Sequence, residues 1–183
     1  MNKRILTGAV SGIGYVALSI PSSLLLTFVN PAALQGSVLY WFVWLLSAAY
    51  TLAGILFWLG LVAVGKKYGL SVLVLASYAT ILIFVLLFAF DILLVASGYA
   101  QWVSIAHNAI PFGAIEGVLA VIVAAVLMKL RSELGAIVVA VLIVSIVCAL
   151  VGFLPGVDQT LGGLADICFA VLLTLVLFRA AKG

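Results

Sequence analysis

Residues 38–69 read VLYWFVWLLSAAYTLAGILFWLGLVAVGKKYG. From Val38 to Gly65 no side chain carries a charge, and then Lys66 and Lys67 follow at once. A helix needs about 20 apolar residues to cross the hydrocarbon layer, so this run is long enough to span with tilt or to protrude. In lipid a backbone must satisfy its own hydrogen bonds, which makes a helix the conformation for an uninterrupted apolar run. Basic residues in short loops stay on the cytoplasmic side during insertion. Lys66 and Lys67 therefore mark the inner end of a transmembrane helix.

Outward from this stretch the pattern repeats. Apolar runs occupy 5–29, 38–65, 70–97, 109–128, 134–154 and 160–178. Lys3 and Arg4 precede the first run, Lys129 and Arg131 follow the fourth, and Arg179 and Lys182 follow the sixth. The alternate connections, about 30–37, 98–108 and 155–160, contain neither Lys nor Arg. The pattern predicts an all-α integral membrane protein: one domain over 1–183, a bundle of six transmembrane helices with short loops and both termini cytoplasmic. A prokaryotic cell membrane is the expected location. Asn30-Pro31 ends the first helix, Gly65-Lys66-Lys67-Tyr68-Gly69 turns the second into the third, and Leu154-Pro155-Gly156 ends the fifth. Tyr40, Trp41, Trp44, Tyr99 and Trp102 mark the outer interface, with Tyr68 and Phe178 near the inner one. The first run continues to about Val29, too long for a signal-peptide core, so a retained helix is expected. The short alternating segments of a β-barrel are missing.

Composition agrees. The 183 residues are 68% hydrophobic and 7% charged, where a soluble domain keeps about a quarter of its residues charged. The longest extramembrane stretch, at 98–108, leaves no room for a soluble domain. A basic pI near 9.0 does not signal nucleic acid, because the cations lie two by two over the inner loops and form no stripe for phosphates. They suit topology and an anionic inner leaflet. Cys148 and Cys168 read as small buried hydrophobes. They stand about equally far from the turn near Gly156, so a bridge between them is left open.

Three carboxylates fall within predicted spans: Asp91, Glu116 and Asp166. An ionisable group in hydrocarbon costs roughly 2.5–3.5 kcal/mol even on the lenient insertion scale, so such groups face the bundle interior and tend to mark function. Asp91 is seven residues inward from Gly98, Glu116 five from Pro111 and Asp166 seven from Gln159. All three then sit roughly 8–10 Å below the outer ends of their helices. No Lys or Arg within a span neutralises them. They either bind a cation or cationic solute through carboxylate oxygens, or remain protonated and hydrogen-bonded, as in a resting proton relay. The plainer alternative is that each faces a different way and bonds a nearby hydroxyl or carbonyl. At an offset of fifty residues, Gly113, Glu116 and Lys129 match Gly163, Asp166 and Arg179, a faint echo of a duplicated helical hairpin.

His107, the single histidine, lies in the longest outer connection with Tyr99, Trp102 and Asn108 at the rim above the acids. It can gate or shuttle protons, or serve as an interfacial histidine beside the helix-capping Asn108. No second histidine exists for a bis-histidine haem, and no local spacing signs a metal site of His107 with two carboxylates. No cofactor is expected. In the first helix Thr7, Ser11, Tyr15 and Ser19 recur every four residues, beside a small-residue edge of Gly8 and Gly12. That face is either a polar wall or partner-docking face, or ordinary packing within the chain. Ser47, Thr51 and Gly54 repeat the theme in the second helix, with Tyr50 one turn from Gly54.

Three functions compete. The first is binding or transport of a cation, proton or small neutral or cationic solute through an outward-facing cup lined by Asp91, Glu116 and Asp166. In length, helix number, inward termini and outward site, this arrangement is broadly similar to the substrate-capturing membrane subunits of energy-coupling-factor vitamin transporters. That likeness is one of architecture and is carried by no loop or helix motif. The second is a non-catalytic accessory subunit of a larger membrane complex, with partner subunits or further copies of itself beside the membrane lipids. The third is an intramembrane enzyme or redox subunit; the lack of a nucleotide loop, a Ser-His-Asp set or a Lys within a span weighs against catalysis.

Overall fold

Hydropathy alone places helices along the chain, but not how they turn toward one another. The computed structural model describes residues 2–28, 38–96, 112–153 and 159–183, and these are almost wholly helical. Among the described residues six long helices follow in order: α1 (Lys3–Phe28), α2 (Val38–Lys67), α3 (Ser71–Ala96), α4 (Phe112–Leu127), α5 (Ile137–Phe153) and α6 (Gln159–Lys182). Five of them, all but α5, contain stretches long and apolar enough to cross a membrane. α5 is equally apolar but has 17 residues, about 25 Å of rise. α1 runs unbroken through Pro21.

Each long helix packs on its neighbour in sequence, and α6 returns to α1, so the bundle closes into a ring. α2 also touches α6 across one end. At that end the backbone is stitched together. Asn2 N–H donates to the Ala181 carbonyl at 3.2 Å, and Lys67 Nζ donates to the Ala180 carbonyl at 3.0 Å. Arg179 Nη1 donates to the Leu134 carbonyl at 2.6 Å. These bonds gather the ends that carry all eight Lys and Arg residues at one end of the bundle, as their spacing in sequence requires.

Two turns at this end depend on glycine. α2 runs two residues beyond the expected Gly65, and Gly69 then takes φ +66°. Leu70 N–H reaches back to the Gly65 carbonyl at 2.8 Å, a Schellman closure that satisfies an orphan helix carbonyl. The α4–α5 connection was expected to be plain loop. It is a 3₁₀ turn (Met128–Leu130) and one helical turn (Arg131–Leu134), closed by Gly135 at φ +73°. The reason is burial: Leu130 and Leu134 turn into the core. α6 likewise extends to Lys182, four residues past the expected end, because Ala180 and Ala181 are buried.

The core cluster joins all six helices through residues such as Ile5, Phe57, Leu73, Leu127, Val141 and Leu177. The outer wall is apolar too: Val10, Leu45, Leu75, Leu82, Ile143 and Leu175 are exposed. A water-facing surface would be charged; this one suits lipid chains.

Candidate functional site

Burial along the ring ends at one level. The buried residues farthest from the basic end are Gly12, Gly54, Ile83, Gly117, Cys148 and Phe169, one on each helix from α1 to α6. Beyond them no described residue is buried. Tyr15, Tyr50, Phe84, Glu116 and Asp166 lie between one and four residues past this boundary. A densely packed base therefore gives way to a looser half, and polar side chains collect where the change occurs.

The floor is aromatic. Tyr15 of α1 stacks on Tyr50 of α2 with centroids 4.7 Å apart and on Phe57 at 5.8 Å. Phe84 of α3 meets Tyr15 edge-on at 5.8 Å. Gly54 makes the niche: a Cβ there would stand 2.8 Å from Phe84 Cε1 and 3.2 Å from Tyr15. Tyr50 OH donates to Tyr15 OH at 2.7 Å, joining two helices through their phenol oxygens.

The acids come from two of the other three helices of the ring. On α4 the buried residues Ala120, Val123, Ala124 and Leu127 form one stripe, and Glu116 stands one turn before it on the same face. On α6 the stripe is Ala170, Leu173, Thr174 and Leu177, with Asp166 one turn before it. The two stripes are related by the same fifty-residue offset as the acids, so the echo extends to the buried faces. Glu116 and Asp166 lie within electrostatic range of each other and of Tyr15 and Tyr50. Glu116 is half-buried and Asp166 exposed. From α5, between them, the Cys148 thiol donates to the Asp166 carboxyl. Cys148 and Cys168 are free thiols.

The other candidates fall into three groups. Asp91 is on α3, seven residues outward of Phe84; its side chain, like His107, Tyr99, Trp102 and Asn108 as a whole, lies outside the described residues. Of the hydroxyls recurring on α1, Thr7 donates to the Lys3 carbonyl at 3.0 Å and Ser19 to the Val16 carbonyl at 2.7 Å, while Ser11 is half-buried. Tyr15 bridges to another helix. Gly8 and Gly12 pack within the chain. A Cβ on Gly60 of α2 would stand 2.7 Å from Gly8 Cα, and one on Gly12 would collide with Thr174 Oγ1 of α6.

Tyr50 and Cys148 were not candidates from the sequence. The signal for Tyr50 was present, in its single-turn spacing from Gly54. Cys148 carried none, since a lone cysteine in an apolar run reads as packing. No three His, Cys, Asp or Glu among the described residues stand close enough to hold a metal ion. Two carboxyls, two joined phenols and a thiol can instead share protons and hydrogen bonds, or offer negative charge to a cation. Comparison with protein-family models, characterised proteins and solved structures found no match.

Proposed function

We propose that the chain crosses a prokaryotic cell membrane six times with its basic end cytoplasmic, and that it binds or transports a cation, proton or small neutral or cationic solute from the outer side. The observation that carries this reading is the cluster at the packing boundary: Glu116 and Asp166 from two non-adjacent helices, within range of each other and of the Tyr15–Tyr50 pair. Carboxyls so placed, with all eight Lys and Arg at the opposite end, suit a positively charged or proton-bearing guest. Asp91, seven residues outward of Phe84 on α3 and so about 10 Å above the aromatic floor, and His107 with Tyr99, Trp102 and Asn108, complete the proposed entrance.

Thermal unfolding of the purified protein tests this across roughly pH 4.5–9 with mono- and divalent cations and small amines. A guest bound only by the folded state, at 100 times its Kd, stabilises by about 2.7 kcal/mol. A saturable shift is expected, lost in Asp166→Asn and weakened in Glu116→Gln. A flat response in wild type, with both variants melting alike, would favour the accessory-subunit alternative, and co-purification with fixed neighbours would then follow. Topology has its own test: a cytoplasm-active fluorescent reporter is expected to light at both termini, and an export-dependent phosphatase at neither.

A further inference from the structure

At the basic end two consecutive lysines have different fates. Lys67 holds the Ala180 carbonyl and lies 5.0 Å from the Tyr68 ring centroid. Lys66 is exposed and has no partner among the described residues. It stands at the mouth of an open groove of about 530 Å³ along the α2–α3 hairpin. Lys66, Gly69 and Ser71 line the interfacial end of this groove; Val74, Leu75 and Tyr78 line the remainder. Tyr78 is seven residues along α3 from Ser71, about 10 Å deeper. Leu75 is 73% exposed, so nothing among the described residues covers the apolar wall. Gly65 sets its shape, since a Cβ there would stand 2.7 Å from Val74 Cγ2 and push α3 away.

The charge around the mouth is one-sided. This end carries all eight Lys and Arg residues and a single acidic side chain, Glu133. We propose that the groove binds one anionic phospholipid of the adjoining leaflet, its phosphate on Lys66 beside the Ser71 hydroxyl and its acyl chain along Val74, Leu75 and Tyr78. Charge complementarity selects the headgroup: a lysine ammonium attracts phosphate as a point charge, and juxtamembrane cations concentrate anionic lipid. A zwitterionic headgroup brings its own ammonium among the other cations. Inorganic phosphate gains nothing from the apolar wall. The site is separate from the carboxylate cluster and requires only that the helices lie in a bilayer.

Native mass spectrometry in a neutral detergent tests the proposal with phosphatidylglycerol, phosphatidylcholine and inorganic phosphate, on wild type, Lys66→Gln and Lys182→Gln. One phosphatidylglycerol per chain is expected to bind saturably. Lys66→Gln should weaken it about tenfold or more, the worth of a charge-assisted hydrogen bond. Lys182→Gln removes an exposed cation from the same end and should change binding by less than about twofold. Equal losses in the two variants would mean diffuse attraction and overturn the site. So would phosphatidylcholine binding as tightly as phosphatidylglycerol, or inorganic phosphate displacing the lipid at similar concentration. Melting without lipid completes the test: Lys66→Gln should match wild type, and a lower melting temperature would make Lys66 a structural residue.

Discussion

The half of the bundle near the cations and the half beyond Gly12 and Gly54 are built from the same apolar residue types but pack differently. In the first, Leu61, Val64, Leu73, Leu127, Val138 and Leu177 are completely inaccessible. In the second, every described residue is half-buried or exposed. Lipid is as apolar as leucine, so burial by itself drives little helix association in a membrane; close contact and hydrogen bonds do. The base has both, through the Gly8–Gly60 approach and the Lys67 and Arg179 bonds to carbonyls. At the boundary Tyr50 instead bonds Tyr15, and Cys148 bonds Asp166. Among the described residues, dense packing is thus concentrated below the cluster.

The sharpest way to break this contrast is to hollow the base. Phe57 is 1% exposed, and Phe57→Ala should destabilise by about 3 kcal/mol, the low end for a buried phenylalanine because lipid removes part of the transfer cost. Phe42→Ala, at a position 53% exposed in the outer half, should move the detergent melting curve far less. Comparable losses at both positions would mean that the halves are equally packed.

Overfilling comes next. Gly60→Leu should cost about 2 kcal/mol by driving α2 from α1, seen as a lower melting temperature and faster proteolysis. At the boundary, Tyr50→Phe removes the donor to Tyr15 and should cost about 1 kcal/mol. The same change should alter any guest-induced shift more than it alters basal stability. Smallest of all is Gly14→Ala, where a Cβ meets open space; its effect should stay within about 0.5 kcal/mol.

These variants separate what the residues alone revealed from what they hid. The helices were legible because hydropathy and charge are properties of runs: the two lysines after Gly65 put the end of α2 within two residues, while the ends expected at Asn30-Pro31 and Leu154-Pro155-Gly156 lie outside the described residues. Ends that depend on tertiary burial, at Leu134 and Ala181, were not legible, since an alanine beside a cation looks the same inside or outside a helix. Rotation was the larger loss. α2, α3 and α5 are apolar all round, so periodicity gives no inward face. Glu116 and Asp166 stood out by their cost in hydrocarbon. That they share a space with Tyr15 and Tyr50 required the ring, and Phe84 gave no sign in the sequence that it would close the floor.

The closed ring has a consequence for synthesis. α6 is made after the other five helices, yet α1 needs it: Gly12 faces Thr174, and Asn2 is held by Ala181. At about 5–20 residues per second, the interval between the emergence of α1 and that of α6 is on the order of ten seconds or more. Gly8 can meet Gly60 of α2 early in that time, but the side of Gly12 that meets Thr174 faces lipid or whatever insertion factor holds it. α1 is therefore finished only once α6 is made, and its α6-facing side is a waiting surface before it becomes an interior one.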